Sequence, residues 1–195
     1  MDSKKVVIVG IPGVGKTTIV DKVTKILHKK GVDTKYIVFG SVMMKEAEKI
    51  GVKDRDDMRK LPVTQQRKLQ VDASIKISKM KTEVLLVDTH LFIKTHNGFW
   101  PGIPYDVATT LSPTHIFLVV AKSEEIIKRR LKDVSRSRDP ITESEVLEEL
   151  EIAKNMLSCL AVMTGATIMH IQNTEGKADK AALIAAAALG GELVV

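Results

Sequence analysis

Gly10-Ile11-Pro12-Gly13-Val14-Gly15-Lys16-Thr17 is the stretch of this chain whose residue types and spacing can do chemistry. Glycines at 10, 13 and 15 leave backbone N–H groups bare enough to converge on anionic oxygens. Lys16 adds a point charge, and Thr17 a hydroxyl with the reach to ligate a Mg²⁺ ion bridging two phosphates. The apolar run Val6–Val9 precedes the loop and the amphipathic run Ile19–Leu27 follows it. Strand, glycine-rich loop and helix N-terminus together make a polyphosphate cradle. The predicted nucleotide site therefore comprises Gly10, Ile11, Pro12, Gly13, Val14, Gly15, Lys16, Thr17 and Thr18.

Other charged groups gather in segments that a parallel sheet would bring to its carboxyl edge. Asp88-Thr89-His90 closes the predicted strand Glu83–Val87, and ligands of open parallel sheets collect at such strand ends. Arg59, Arg129, Arg130, Arg136 and Arg138 supply planar forks that match phosphate oxygens. In phosphoryl transfer, charge develops on the moving group, so catalysis is mostly positioning and positive charge. An acceptor that is already a phosphate anion needs no deprotonation, whereas a hydroxyl acceptor usually needs a carboxylate base. The surplus of cations over candidate bases fits the phosphate acceptor.

The elements that must position these groups follow from periodicity. Strands are expected at Val6–Val9, Lys35–Phe39, Glu83–Val87, His115–Ala121 and Thr167–Ile171. Helices are expected after the loop, over Thr64–Met80 with Leu69, Ala73, Ile77 and Met80 at helical spacing, after Ser123, after Thr142 and over Ala178–Leu189. Thr142 and Glu145 spell a capping box for a helix with the stripe Val146, Leu150, Ala153, Leu157 and Leu160. Met44–Lys60 reads as short helical pieces, Asn97–Tyr105 as a Gly- and Pro-rich loop, and Ser135–Pro140 as a break. Strands alternating with helices predict an α/β fold: a doubly wound, five-stranded parallel sheet with helices on both faces.

Composition narrows the class. A chain of 195 residues suits one domain, and 44% hydrophobic with 28% charged residues argues against disorder. The longest apolar runs, such as Ile116–Ala121, fall far short of a bilayer span, so a cytoplasmic protein without membrane association is expected. The single cysteine, Cys159, forms no internal disulfide and reads as a small buried hydrophobe. A net charge of +6 favours anionic ligands.

GIPGVGKTT, FGSVM, DRDDMRKL, VDTH, NGFWPGIP and SRSRD occur in the order and spacing of archaeal-type adenylate kinases, which the chain resembles over almost its whole length. The resemblance implies a P-loop fold of the nucleoside monophosphate kinase type, with strand order 2-3-1-4-5. It implies the reaction ATP + AMP ⇌ 2 ADP with Mg²⁺ and a homotrimeric assembly. It further implies an AMP-binding segment at about 40–80 and a short lid at about 132–142, in which Arg136 and Arg138 close over the transferred phosphate. Phe39, Gly40, Ser41 and Met43 would line the AMP pocket, with Arg59 on its phosphate and Thr89 and His90 beside it. Asp88 and Thr17 would serve the metal, and Asn173 would lie where adenine of ATP is held. Arg129 and Arg130 share a helix in which one must face solvent, and Arg130 is taken as the catalytic one with Lys16.

Two further readings share these features. One is a kinase for another nucleoside monophosphate, CMP or UMP. The other is a nucleotide-dependent RNA-binding or assembly ATPase, although no aromatic-and-basic RNA motif supports it and a nucleic-acid partner is not expected. A GTPase switch is disfavoured because neither Asn-Lys-x-Asp nor Asp-x-x-Gly is present.

Overall fold

The strand Val84–Asp88 (β3) is buried at all five positions, and in a strand consecutive side chains point to opposite faces. Both faces of the sheet at its centre are therefore covered, as the continuous apolar run requires. The computed structural model describes residues 3–95, 98–132 and 142–190. Besides β3, the sheet is built from β1 (Lys4–Val9), β2 (Thr34–Val38), β6 (His115–Val120) and β7 (Thr167–Gln172), all parallel, in the order β2-β3-β1-β6-β7. This is the expected order, since β6 and β7 are the fourth and fifth strands of this sheet.

Helices flank it in two groups. Helix α1 (Lys16–Lys29) packs against α8 (Ala178–Ala187), burying Ile19, Val20, Val23 and Leu27 on its inner stripe. In the second group, α4 (Val63–Ser78) meets α5 (Tyr105–Leu111), and α5 meets α7 (Glu143–Thr164). Helices α2 (Phe39–Glu48), α3 (Arg55–Lys60) and α6 (Ser123–Lys132) complete the set among the described residues. Register fixes what lies near the loop: Ile8 pairs with Asp88, and Val38 pairs with Asp88 from the other side. The acid thus sits one strand from the residue that enters the phosphate loop.

The capping box forms as expected. Glu145 N–H donates to Thr142 Oγ1 at 3.3 Å, and Thr142 N–H donates to Glu145 Oε2 at 2.9 Å. Elsewhere the structure corrects the sequence reading. Phe92–Thr95 (β4) and Gly98–Pro101 (β5) pair antiparallel, so the expected loop Asn97–Tyr105 contains a strand at Gly98–Pro101. Phe92 and Phe99 meet edge to face at 5.0 Å, a cross-strand contact that outweighs the Gly and Pro content of 98–104. Phe39, expected to close the second strand, is instead the first residue of α2. Cys159 is exposed, because the buried stripe of α7 passes through Leu157 and Leu160 and leaves position 159 outside.

Candidate active site

The phosphate loop joins β1 to α1. Gly13 and Gly15 have φ of +89° and +82°, a region costly for any residue with a Cβ. At Gly15 sterics add to this, because a Cβ would collide with the side-chain nitrogen of Asn173. That nitrogen donates to Val14 O at 2.7 Å, so buried Asn173, at the end of β7, holds the loop in shape across the sheet.

Lys16 opens α1 and forms an ion pair with Asp88. Tyr36 O–H donates to the other oxygen of that carboxylate at 3.0 Å. Burial pushes the Lys16 ammonium down to about 8 from its usual 10.5. Burial, then the charge of Asp21, pushes the Tyr36 phenol up. Thr17 and Thr18 are exposed on the first turn of α1.

Two arginines from the last turns of α6 reach the loop from outside. Arg130 Nε–H donates to Pro12 O at 2.8 Å, and its NH2 pairs with Glu149 at 2.6 Å. Arg129 donates to Val14 O at 3.2 Å and to Gly13 O at 3.4 Å, with Glu125 Oε2 and Asn173 O each 3.3 Å from its other nitrogen. The expectation that one of the two faces solvent is therefore corrected. Loop carbonyls point toward α6 over the whole turn Pro12 to Val14, and adjacent helical positions can both satisfy them. Arg129 also lines a cavity of about 290 Å³ with Gly15, Thr18, Asn173, Thr174 and Gly176.

The remaining expected residues separate. Phe39 and Met43 are buried in the core, and half-buried Ser41 accepts a hydrogen bond from Arg55 at 3.0 Å. A Cβ at Gly40 would meet open space. Arg59 is 72% exposed and pairs with Asp56 at 2.7 Å on the surface of α3. Thr89 is buried, its N–H donating to Ile8 O at 3.1 Å, while His90 is exposed. Arg136 and Arg138 lie outside the described residues.

Sequence reading missed Tyr36, Glu125 and Glu149, which orient Asp88, Arg129 and Arg130. The one available signal was at Glu149, the member of an acidic run that falls at stripe spacing between Val146 and Ala153. No cluster of three or more His, Cys, Asp or Glu able to hold a metal alone occurs among the described residues. Mg²⁺ needs none, since it takes one or two protein oxygens together with substrate phosphates. Thr17 and Asp88 offer hard oxygens of that kind. No helix among the described residues is long and apolar enough to cross a membrane.

Comparison with known proteins agrees with this geometry. A family model described as an AAA domain matches residues 9–147, from the end of β1 through the loop and both arginines. The shikimate kinase of Bacteroides thetaiotaomicron shares the fold with a TM-score of 0.62 at 12% identity, over 96% of this chain and 98% of that one. An adenylate kinase of Methanocaldococcus jannaschii is 43% identical over 183 residues, covering 93% of this chain and 95% of that protein. One from Pyrococcus furiosus is 43% identical over 175 residues, covering 88% and 87%. With a phosphate loop gripped by two arginines, an acid under its lysine and likeness of this extent, the chain belongs to the adenylate kinase family.

Proposed function

We propose that this chain transfers the γ-phosphoryl group of ATP to the phosphate of AMP, with Mg²⁺, giving two ADP. The observation that carries the reading is the convergence of Lys16, Arg129 and Arg130 on one loop, with Asp88 beneath. The N–H groups of Gly13 to Thr17 and the Lys16 ammonium hold the phosphates of ATP. On nucleotide arrival Lys16 exchanges the Asp88 carboxylate for phosphate oxygens. The Asp88 oxygen so released, with the Thr17 hydroxyl, would hold Mg²⁺, which neutralises phosphate charge when bound.

An oxygen of the AMP phosphate attacks the γ-phosphorus as the bond from that phosphorus to the bridging β-oxygen breaks. No proton has to leave the acceptor. Lys16 and Arg130 stabilise the charge that develops, and Arg136 and Arg138, in a lid at about 132–142, add to it on closure. Gly40, Ser41 and Arg59 bind AMP within the segment at about 40–80, with Phe39 and Met43 shaping its floor from the core and Thr89 and His90 at its edge. Adenine of ATP lies in the cavity beside Arg129 and Asn173. The working protein is a cytoplasmic homotrimer, and a monomeric sedimentation mass would remove that part of the reading.

ADP formation by the pure protein tests the reaction. Rapid ADP production should require both ATP and AMP, with CMP and UMP as much poorer acceptors. ATP hydrolysis independent of any monophosphate would replace the reading with a nucleotide-dependent switch, and preference for CMP or UMP would change the acceptor.

A further inference from the structure

Glu149 puts a carboxylate where α7 should carry an apolar side chain. It stands on the buried stripe between Val146 and Ala153 and is 5% exposed. A carboxylate in such a place is costly unless it is paired and hydrogen-bonded. Its close partner is Arg130, from α6, with NH2 at 2.6 Å from Oε2; Lys94, from β4, reaches 4.0 Å from Oε1. On its own helix, Glu145 faces the same lysine at 3.6 Å.

The arginine does not end at this ion pair. Its Nε–H is fixed on Pro12 O, and its stem lies so close to the loop that a Cβ on Gly13 would come within 3.0 Å of Arg130 Cγ. Glu149, Arg130 and Pro12 thus form one connected series from α7 to the phosphate loop. Two of the five N–H donors of the guanidinium are engaged in it.

We infer that Glu149 is a positioning residue for phosphoryl transfer, acting through Arg130; this rests on the reaction proposed above. A long arginine side chain samples many rotamers when free. Held at Nε by the loop and at NH2 by a carboxylate, the guanidinium has lost that freedom before substrate arrives. A charge already in place when the transition state forms costs no reorganisation at that moment. The carboxylate is needed for its charge, because a bond between two ionised groups is about twice as strong as a neutral one. Glu149 itself touches no phosphate, so ground-state binding should barely register its loss.

The experiment measures steady-state ADP formation by the full chain. Glu149→Gln should lower kcat about 10-fold, with KM for ATP and AMP held within about threefold. Arg130→Met should lower kcat by about 10²-fold, and adding Glu149→Gln to it should produce no further loss. Should the glutamine variant fail to fold, Glu149→Asp keeps the charge but withdraws it by one methylene, and kcat should again fall at constant KM. Unchanged kcat with only a lowered melting temperature would make Glu149 a structural group and overturn the proposal. So would losses that multiply in the double variant. Absence of AMP-dependent ADP formation by the unaltered protein would sink the reaction itself, a separate outcome.

Discussion

Lys16 and Asp88 are 72 residues apart in the chain and meet as an ion pair under the phosphate loop. Tyr36, from β2, binds the far oxygen of the same carboxylate. Three neighbouring strands thus each contribute one group to a single polar link: β1 through the loop it feeds, β3 and β2. Without nucleotide, the positive end of that link is satisfied by protein. Binding phosphate therefore exchanges one anion for another at Lys16.

Lys16→Met should leave a folded protein, because the methionine fills much of the lysine stem and Asp88 keeps its bond from Tyr36. Turnover should fall by about 10²- to 10³-fold, the loss expected for one transition-state donor. Circular dichroism checks the fold and ADP formation the rate. Near-normal turnover would overturn the role of Lys16.

The depressed Lys16 pKa, about 8, sets a pH dependence. Phosphate contact favours the ammonium, so above pH 8 binding must take up a proton, and ATP affinity should fall by up to about tenfold per pH unit. Below pH 8 Lys16 imposes no slope. Phosphate groups, with a second ionisation near pH ~6, are already charged across this window. Stability moves oppositely: between about 8 and 10.5 the unfolded chain holds the proton that the folded one has lost, so the contribution of Lys16 rises with pH there. Calorimetric titration from pH 7 to 9.5 reads the affinity, and an equal slope in Lys16→Met would exclude this lysine as its source.

The phosphate loop and the sheet were legible because their signals are local. Glycines that need positive φ, a lysine at fixed offset and short apolar runs are visible one window at a time. The pairing of Phe92–Thr95 with Gly98–Pro101 was not, since a four-residue strand has little periodicity and the stabilising Phe92–Phe99 contact lies between strands. Nor was the inward turn of both Arg129 and Arg130, whose acceptors on Pro12, Gly13 and Val14 lie more than a hundred residues away. Glu149 shows the same limit: an acid within an acidic run looks solvated until its partner from another helix is known.

Arg136 and Arg138 carry a prediction that rests on sequence and family. If they close over the phosphates only when both nucleotides are bound, their loss should strike turnover more than binding. Arg136→Ala and Arg138→Ala should each lower kcat by about 10²-fold, on the order of 3 kcal/mol, with ATP affinity changed much less. Lysine at either site should rescue poorly, because a point charge cannot donate the paired bonds of a guanidinium. Full kcat in both alanine variants would remove the lid assignment.

Gly15→Ala tests two separable causes at one position. The first is backbone strain, since φ is +82° and an L-residue held there loses about 1–2 kcal/mol. The second is the collision of the new Cβ with the Asn173 side chain, which would push its nitrogen off Val14 O. Asn173→Ala alone removes that hydrogen bond, worth about 1 kcal/mol, and leaves the loop glycine unstrained. In the double variant the collision is gone but the strain stays. Its total destabilisation should therefore be smaller than the sum of the two single losses, by the part of the Gly15→Ala loss that is steric. Denaturant unfolding measures the three stabilities. ATP titration gives a second reading, because a loop displaced by the collision should bind more weakly in Gly15→Ala than in the double variant. Strict additivity in stability, with equal ATP affinity for those two variants, would show that Asn173 yields freely and that strain alone makes glycine necessary at position 15.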